Sequence, residues 1–336
     1  MLIFPRASRN VFFALLTTFL LTIAPDAKAD FCTVSMSDMS FGNVSPVSGQ
    51  DYYANGTLSV TCTFVILVGN IIVLPNINAC ASLGPGSGAA DINTRVLMNG
   101  SKKIPFNLYR SASYTPANLW GGYETNNAIP VFFAGLLAIG TNTQVYPVYA
   151  KIAASSLALA AVESNATTTY SASFAGAGTM QYSSSSVVAL PCQSAGSSVA
   201  FAFNVSANVM NDCLIDTTPV SFGSSGALSS ATRATGAVLV KCTAANNYRI
   251  TLNGGVVTNS ASDRKMKNVD TGETVSYRLS TSLDGPIWGD GANGTTTYDS
   301  IGTGLTQQII IYGLVPSQAT PSPGTYSDQV TALIYF

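Results

Sequence analysis

The side chains that could do chemistry in this 336-residue chain are its cysteines and carboxylates, because the sequence contains no histidine. Without histidine, neither a Ser-His-Asp triad nor a Cys-His pair can form. Asp290 and Asn293 lie in a Gly-rich loop that faintly resembles a calcium loop, but their spacing does not match the twelve-residue calcium pattern. We therefore expect a solvated turn there, and we expect no metal, no cofactor and no enzymatic activity.

The overall composition favours a sandwich of β-sheets. Gly, Ser, Thr, Ala, Asn and Val dominate, and no long segment has the 3.6-residue period of an amphipathic helix. The chain carries 15 basic and 16 acidic residues, so a basic surface for nucleic acid is not expected. Only 9% of the residues are charged, which is unusual for a free soluble monomer and points to a membrane, a partner or an assembly.

The N-terminus predicts export. Arg6 and Arg9 precede an apolar run over residues 11–23, and an Ala-Lys-Ala site ends at Ala29. This order of features predicts a secretory signal peptide over residues 1–29. The apolar run is shorter than the roughly 20 residues that a membrane-spanning helix needs, so a single-pass anchor is the weaker alternative.

The cysteines belong to an internal repeat. Each half of the chain contains a cysteine, about eight residues, Ser-Phe-Gly, a polar turn, a glycine, an alternating strand and a second cysteine. We infer that each copy is a domain whose first two strands are joined by a disulfide, as expected in an exported protein. The predicted pairs are Cys32 with Cys62, Cys213 with Cys242 and, by elimination, Cys80 with Cys192.

The two copies remain similar over about six strands and then differ. Trp120 in the first copy corresponds to Trp288 in the second, which argues for a shared structural role. After the sixth strand the first copy has an alternating seventh strand at residues 198–205, and the second copy has no counterpart. The sequence therefore predicts two all-β domains, residues 30–208 and 209–336, of which the second lacks one strand.

The end of the chain reads as an apolar strand. Residues 328–336 alternate with period 2, and a strand of this kind needs hydrogen-bonded neighbours on both sides. Since the sequence stops there, we expect the missing neighbour to come from another protein. The predicted strand-accepting edge consists of Val330, Ala332, Ile334 and Phe336.

The Cys…Phe-Gly…Gly-x-Leu-x-Val-x-Cys opening, which spans Cys32 to Cys62, resembles that of the spore coat protein U domain family. This family includes the pilins of archaic (Csu-type) chaperone–usher pili, and the resemblance covers both copies. It implies immunoglobulin-like sandwiches, the second of them incomplete. It also implies three partners: a periplasmic pilus chaperone, an outer-membrane usher, and the next pilus subunit, whose N-terminal strand fills the gap.

The expected position in such a fibre is its tip, at the cell surface. If the mature chain begins at Asp30, directly before Cys32, it has no N-terminal segment to donate to another subunit. The chain would then accept a strand without giving one. In this respect it resembles the two-domain tip adhesins of Csu-type pili, which implies a role in biofilm formation.

Three apolar loops of the first copy predict a contact surface. They follow its second, fourth and sixth strands and therefore fall at one end of the sandwich. Gly, Ser or Pro flanks them, and the sister copy has polar turns after its second and fourth strands, so we expect an exposed tip that binds hydrophobic, abiotic surfaces. The predicted surface-binding residues are Val65, Ile66, Leu67, Val68, Leu136, Leu137, Ala138, Ile139, Val187, Val188, Ala189 and Leu190.

Several alternatives stay open at this point. The apolar runs could extend buried strands, because short apolar runs look alike in both settings. The chain could be a structural coat or matrix protein, or a glycan-binding lectin that uses Trp120 and Tyr123. Residues 157–160 are assigned to packing or to the contact between domains, and Arg264 with Lys265 to an exposed turn.

Overall fold

The computed structural model describes residues 30–64, 76–134, 140–185 and 196–336, so the predicted signal peptide lies outside it. These residues form strands and turns with a few one-turn helices. Their buried side chains make two separate cores, one running from Cys32 to Val209 and the other from Cys213 to Ile334. The predicted fold class, two β-sandwiches in tandem, is confirmed.

Thirteen strands build the first sandwich. They are β1 (Asp30–Met36), β2 (Met39–Val44), β3 (Tyr52–Phe64), β4 (Asn76–Leu83), β5 (Val96–Asn99), β6 (Lys102–Pro105), β7 (Asn107–Tyr109), β8 (Ile129–Phe133), β9 (Gly140–Ile152), β10 (Thr168–Ser173), β11 (Gly178–Ser185), β12 (Ser197–Phe201) and β13 (Asn204–Val209). Their sheets have the orders β1-β3-β9-β7, β2-β13-β10-β5-β6 and β12-β11-β4-β8.

The second sandwich repeats this plan with fewer strands. They are β14 (Cys213–Thr218), β15 (Thr232–Cys242), β16 (Asn247–Leu252), β17 (Arg264–Lys267), β18 (Thr274–Ser280), β19 (Tyr298–Ile301), β20 (Gln307–Val315) and β21 (Ala332–Tyr335). Their sheets have the orders β14-β15-β20-β18-β17 and β19-β16-β21.

Short helices interrupt the strands in both sandwiches. They are Pro116–Asn118, Tyr123–Thr125, Ala154–Leu157 and Gly255–Thr258. Within the described ranges no helix has the length and apolar character needed to cross a membrane.

Alternating side chains explain why these segments form strands. Along β3, Ala54, Leu58 and Val60 point inward and are buried, whereas the odd-numbered residues face outward. Gly56 occupies one inward position because a Cβ there would lie 2.6 Å from the methyl carbon of Met36. The period of 2 thus sets which face of the sheet meets the core.

The predicted disulfide at the opening of each copy is present. Cys32 and Cys62 lie directly opposite each other in β1 and β3 and are bonded. Cys213 and Cys242 have the same relation in β14 and β15. Cys80 is also disulfide-bonded. Its predicted partner Cys192 lies outside the described residues.

The two tryptophans occupy equivalent buried positions. The Nε1 of Trp120 donates a hydrogen bond to the carbonyl oxygen of Ala81 at 2.9 Å, and the Nε1 of Trp288 donates to that of Ile250 at 3.0 Å. Both side chains are fully buried. Their shared structural role, which the sequence predicted, is therefore confirmed.

Each sandwich also contains a buried arginine. The Nη2 of Arg95 donates to the carbonyl oxygens of Leu83, Gly84 and Trp120, and all these bonds are 3.3 Å or shorter. Burial lowers the pKa of Arg95, but a guanidinium stays charged at neutral pH. The guanidinium loses its water on burial, and the carbonyl oxygens replace the hydrogen bonds that it made to water.

Arg264 is the counterpart of Arg95 in the second sandwich, and the expectation that it is an exposed turn charge is wrong. Its side chain is 1% exposed, and its guanidinium donates to the carbonyl oxygens of Leu252 and Asn253. Burial lowers its pKa as well. Adjacent charged residues such as Arg264 and Lys265 usually indicate a surface turn. Here the carbonyl oxygens of Leu252 and Asn253 accept the hydrogen bonds of the Arg264 guanidinium and make its burial possible.

A short connection and a few polar contacts join the sandwiches. Strand β13 ends at Val209 and β14 begins at Cys213. The backbone N–H of Val162 donates to the carbonyl oxygen of Ala244 at 3.0 Å, and the Oγ of Ser45 donates to the carboxylate of Asp212 at 2.6 Å.

The apolar run at residues 157–160 divides between the core and the surface. Leu157 and Ala160 are buried in the first core, whereas Leu159 is exposed. Packing is therefore one of its roles, as expected.

Candidate functional site

The first sandwich contains the predicted seventh strand. It has two segments: β12 pairs antiparallel with β11, and β13 lies between β10, which is antiparallel, and β2, which is parallel. Its inward side chains are at most 5% exposed; they are Phe201, Phe203, Val205, Ala207 and Val209. The ring of Phe203 stacks on that of Phe174 with centroids 4.7 Å apart. This strand therefore closes the first core.

The second sandwich has no described strand at the corresponding place. Strand β21 pairs with β16 and forms the edge of its sheet, while β14 forms the edge of the other sheet. The strand predicted over residues 328–336 is shorter than expected, since β21 covers Ala332–Tyr335. The segments that correspond to its neighbours in the first sandwich, residues 217–228 and 322–335, are present in the described chain without the strand itself.

Strand registers fix which residues correspond. Ser171 pairs with Met98, three residues after Arg95, and Ser327 forms a bridge with Lys267, three residues after Arg264. Ser327 is therefore the counterpart of Ser171. Leu83 and Leu252 are also counterparts, because the carbonyl oxygen of each accepts a hydrogen bond from the buried arginine of its sandwich. Ala332, which pairs with Leu252, is therefore the counterpart of Gly178, which pairs with Leu83.

The difference in exposure along these segments defines a groove. In the first sandwich, Tyr170, Ala172 and Phe174 are buried under the seventh strand. The inward residues of the second sandwich alternate with exposed ones in the same way but are only half-buried. They are Tyr326, Asp328, Val330, Ala332 and Ile334.

The facing wall of this groove is half-buried too. Val220 and Phe222 of the second sandwich are only partly covered, whereas their counterparts Met39 and Phe41 are buried in the first. Two adjoining cavities of about 370 and 600 Å³ follow the space between the walls. We call this space the C-terminal groove: its walls are residues 217–228 and 322–332, and its floor includes Leu252, Tyr277, Leu279 and Ile311.

Val330 and Ala332 of the predicted strand-accepting edge line this groove, whereas Ile334 and Phe336 are not part of its lining. Val330, Ala332 and Ile334 pack partly against the second core, and Phe336 is 48% exposed. Sequence reasoning missed most of the facing wall, although Phe222 had been recognised as part of the repeat. The repeated Ser-Phe-Gly motif could have identified it, since Phe41 and Phe222 hold equivalent places.

A carboxylate stands in the middle of the groove. The Oδ2 of Asp328 accepts a hydrogen bond from the hydroxyl of Tyr277 at 2.6 Å, and its Oδ1 accepts from the backbone N–H groups of Val256 and Gln329, both at 2.9 Å. Burial and the bond to Asp328 raise the pKa of Tyr277. Asp328 is the counterpart of Ala172, so a charge replaces a methyl group.

All twelve predicted surface-binding residues lie outside the described part of the chain. They are Val65, Ile66, Leu67, Val68, Leu136, Leu137, Ala138, Ile139, Val187, Val188, Ala189 and Leu190.

The residues that flank the three loops are described, and they lie together. Phe64 is opposite Gly140, Asn76 is opposite Ser185, and the rings of Phe64 and Phe133 are 6.0 Å apart. These flanking residues therefore lie at the same end of the first sandwich.

Other candidate features have structural roles. The Oδ1 of Asp290 accepts bonds from the N–H of Ala292 and the hydroxyl of Thr295, so its side chain organises a turn, as expected. In the described part of the chain no group of three or more carboxylate or cysteine side chains is arranged to hold a metal ion.

The sequence profile of the Spore Coat Protein U domain matches residues 17–173 and 199–333. The chain therefore belongs to the Spore Coat Protein U domain family. Protein U of Myxococcus xanthus is 32% identical to this chain over 108 residues, which is 30% of the chain. The match spans 59% of the length of that relative.

Solved structures of pilus proteins are similar over most of the chain. One belongs to the CsuC–CsuE chaperone–tip adhesion subunit pre-assembly complex from archaic chaperone–usher Csu pili of Acinetobacter baumannii. It is 15% identical with a TM-score of 0.44, over 91% of this chain and 100% of that one. The CupB6 tip adhesin of Pseudomonas aeruginosa is 10% identical with a TM-score of 0.34, over 90% of this chain and 93% of that one.

Proposed function

We propose that this protein is a tip adhesin of a chaperone–usher pilus and that a strand from the next subunit completes its second sandwich. The observation that carries the proposal is the C-terminal groove. The sister sandwich fills the corresponding space with β12 and β13. An extended segment can add to an open sheet edge through main-chain hydrogen bonds, while pockets for alternate side chains provide specificity.

Before assembly the groove needs a temporary occupant. Its walls carry apolar side chains that are only half-buried, including Val220, Phe222 and Val330, and exposed apolar surface of this kind promotes aggregation. A periplasmic chaperone would cover it during export. At the outer-membrane usher, the strand of the next subunit would replace the chaperone.

Co-expression tests this part of the proposal. The mature chain should be soluble when a candidate periplasmic chaperone is produced with it and should aggregate when produced alone. Hydrogen exchange on the soluble complex should show protection over residues 326–335 that is lost when the chaperone is removed. Strands β3 and β9 of the first sandwich provide the internal control, because their protection should not change. A soluble lone chain with full protection over residues 326–335 would refute strand acceptance.

The first sandwich is proposed to make the surface contact through its three apolar loops, supporting biofilm formation on abiotic material. The convergence of the loop stems at one end supports this role. Removing one aliphatic side chain from water contributes roughly 1.5–3 kcal/mol, and immobilisation of the protein offsets much of the sum. Many fibres on one cell would then add modest contacts by avidity.

A triple substitution tests the contact surface. Leu67→Ser, Leu137→Ser and Val188→Ser together should leave fibres assembled and abolish attachment to polystyrene. The matched control replaces three exposed apolar residues of the second sandwich, Leu214→Ser, Val256→Ser and Leu283→Ser, and should attach normally. Normal attachment by the first variant would remove the proposed surface.

The buried position of Trp120 weakens the lectin alternative, because a fully buried ring cannot stack on a sugar. Competition experiments with detergent and with free sugars distinguish an apolar contact surface from a lectin site. An apolar contact should be lost in mild detergent and should persist with free sugars. Inhibition by a free sugar alone would favour a lectin.

A further inference from the structure

The C-terminal groove differs from the filled groove of the sister sandwich at one chemically distinctive place. In the first sandwich, the inward Ala172 lies opposite Val205 of the seventh strand, so two apolar side chains meet. The counterpart of Ala172 in the second sandwich is Asp328, whose half-buried carboxylate lines the groove. A strand placed as in the first sandwich would therefore set one inward side chain directly against this carboxylate.

The carboxylate is well anchored but has no charged hydrogen-bond donor. Its hydrogen bonds come from the hydroxyl of Tyr277 and from the backbone N–H groups of Val256, Val257 and Gln329, and none of these donors is charged. Within the described part of the chain Asp328 forms no ion pair. Arg264 lies close enough to interact electrostatically with Asp328, but its hydrogen bonds go to the carbonyl oxygens of Leu252 and Asn253.

Covering Asp328 would remove the water that now reaches it. A charge that loses water without gaining a partner is costly, and a hydrogen bond to a charged group is among the stronger ones in proteins. A carboxylate offers about four lone-pair sites, so its Oδ2 can accept a further donor besides Tyr277. The groove thus favours an incoming strand that brings a donor to this place.

We propose that Asp328 determines which strand the groove accepts, by requiring an N–H or O–H donor side chain at the position that Val205 holds in the sister sandwich. This inference rests on the proposed function. The occupant is a segment of another subunit that runs antiparallel to residues 326–334 and parallel to residues 220–222. Its inward side chains are apolar except for a Ser, Thr, Asn, Gln, Lys or Arg opposite Asp328. A strand whose inward side chains are all apolar, as in β12 and β13, would leave the carboxylate of Asp328 without a donor. The groove therefore discriminates against such a strand.

A pair of peptides isolates this one position. The probe is a labelled eight-residue peptide that copies residues 202–209. It leaves out Phe201 because a Cβ at the position of Gly178, which Ala332 holds in the second sandwich, would lie 2.6 Å from both the ring and the carbonyl oxygen of Phe201. One version keeps Val at the position of Val205, and the other carries Thr, which has nearly the same shape and adds a hydroxyl donor. Fluorescence anisotropy of each peptide, titrated with the soluble complex of the full mature chain and its chaperone, gives the relative affinity with which the peptide replaces the chaperone in the groove.

The wild-type chain should bind the Thr peptide at least tenfold more tightly than the Val peptide, which corresponds to about 1.4 kcal/mol. Asp328→Ala, which restores the residue of the sister sandwich, should reduce this ratio to below about twofold. Asp328→Asn retains an oxygen for the backbone N–H groups and should give an intermediate ratio, so the test survives if the alanine variant does not fold. Ser327→Ala, at an adjacent outward position, should keep the full ratio.

Two results would overturn the inference in distinguishable ways. Equal binding of both peptides by the wild-type chain, or an unchanged ratio in Asp328→Ala and Asp328→Asn, would refute the role of Asp328 and leave strand acceptance intact. Failure of both peptides to bind any of the chains would refute strand acceptance itself, and the role of Asp328 with it.

Discussion

The two sandwiches share a buried framework and differ in whether it is closed. Each has a disulfide between two paired strands, β1 with β3 or β14 with β15. Each also has a tryptophan that is hydrogen-bonded to a carbonyl and an arginine that is hydrogen-bonded to several carbonyls. Among the residues that the structure describes, only the first sandwich has a seventh strand over its core. The shared framework therefore sets the topology of each sandwich, whereas the seventh strand determines how completely the core is covered.

The largest expected effect is the loss of the buried arginine. Arg95→Met would leave the carbonyl oxygens of Leu83, Gly84 and Trp120 without this donor, whereas Arg264→Met would affect those of Leu252 and Asn253. At about 1–3 kcal/mol for each unsatisfied buried group, we expect losses of about 5 kcal/mol in the first sandwich and about 3–4 in the second.

Calorimetry with separate transitions for the two sandwiches would measure these losses. Arg278→Met serves as the control, because Arg278 is exposed, and it should have little effect. If Arg264→Met is as mild as the control, the shared framework does not extend to this residue.

The disulfides should contribute equally to both sandwiches. They close loops of nearly the same length, with sequence separations of 30 and 29 residues. The chain-entropy estimate is then about 3–4 kcal/mol for each. Replacing Cys32 and Cys62 by Ala, or Cys213 and Cys242 by Ala, and following urea unfolding of each sandwich would check this. Unequal losses of unfolding free energy would show that the two disulfides do not stabilise their sandwiches equally.

Supplying the seventh strand should remove most of the difference between the sandwiches. The Thr version of the probe strand, fused after Phe336 through a flexible linker, should stabilise the second sandwich by about 3 kcal/mol through burial of its apolar face. For a domain of this size the melting temperature should rise by about 10–20 °C. The same extension with Asp at its inward apolar positions should give no rise, and the first transition should not move.

The smallest effect concerns acid. The bond from Lys151 and that from the N–H of Ala154 lower the pKa of Asp51 below its ordinary value of 3.8. A lowered carboxyl pKa adds stability that is present above the ordinary value and is lost as the pH falls through the lower, folded value. Hydrogen bonds from Ser322 lower the pKa of Glu273 in the same sense.

Asp51→Asn should therefore lower the first melting temperature by a small, constant amount above about pH 4. The difference from wild type should shrink at lower pH. Glu273→Gln should act in the same way on the second transition. A difference that grows on acidification would contradict the assigned contacts.

The sequence predicted the parts of the fold that repeat locally. Period-2 alternation, paired cysteines and the extra segment at residues 198–205 were sufficient for the two sandwiches and their unequal ends. The seventh strand was predicted as continuous, but it changes sheets near Ala202, between β12 and β13. A local pattern cannot show such a change, because both segments keep the same alternation.

Buried charge was the feature that sequence reasoning could not predict. Arg264 was interpreted as exposed because charged residues usually are, and only the carbonyls that converge on it make burial favourable. Asp328 was included in the terminal strand without a role, since Tyr277 and Val256 reach it from distant parts of the chain. The strand registers are needed to show that Asp328 takes the place of Ala172, and a single sequence does not contain them.

The short connection between Val209 and Cys213 has a mechanical consequence. A pull on the second sandwich would reach the first along the axis of β13, which is bonded to β10 on one side and β2 on the other. Force in that direction loads the bonds of both ladders simultaneously, instead of opening them one after another. The first sandwich would thus resist tension through the same strand that closes its core.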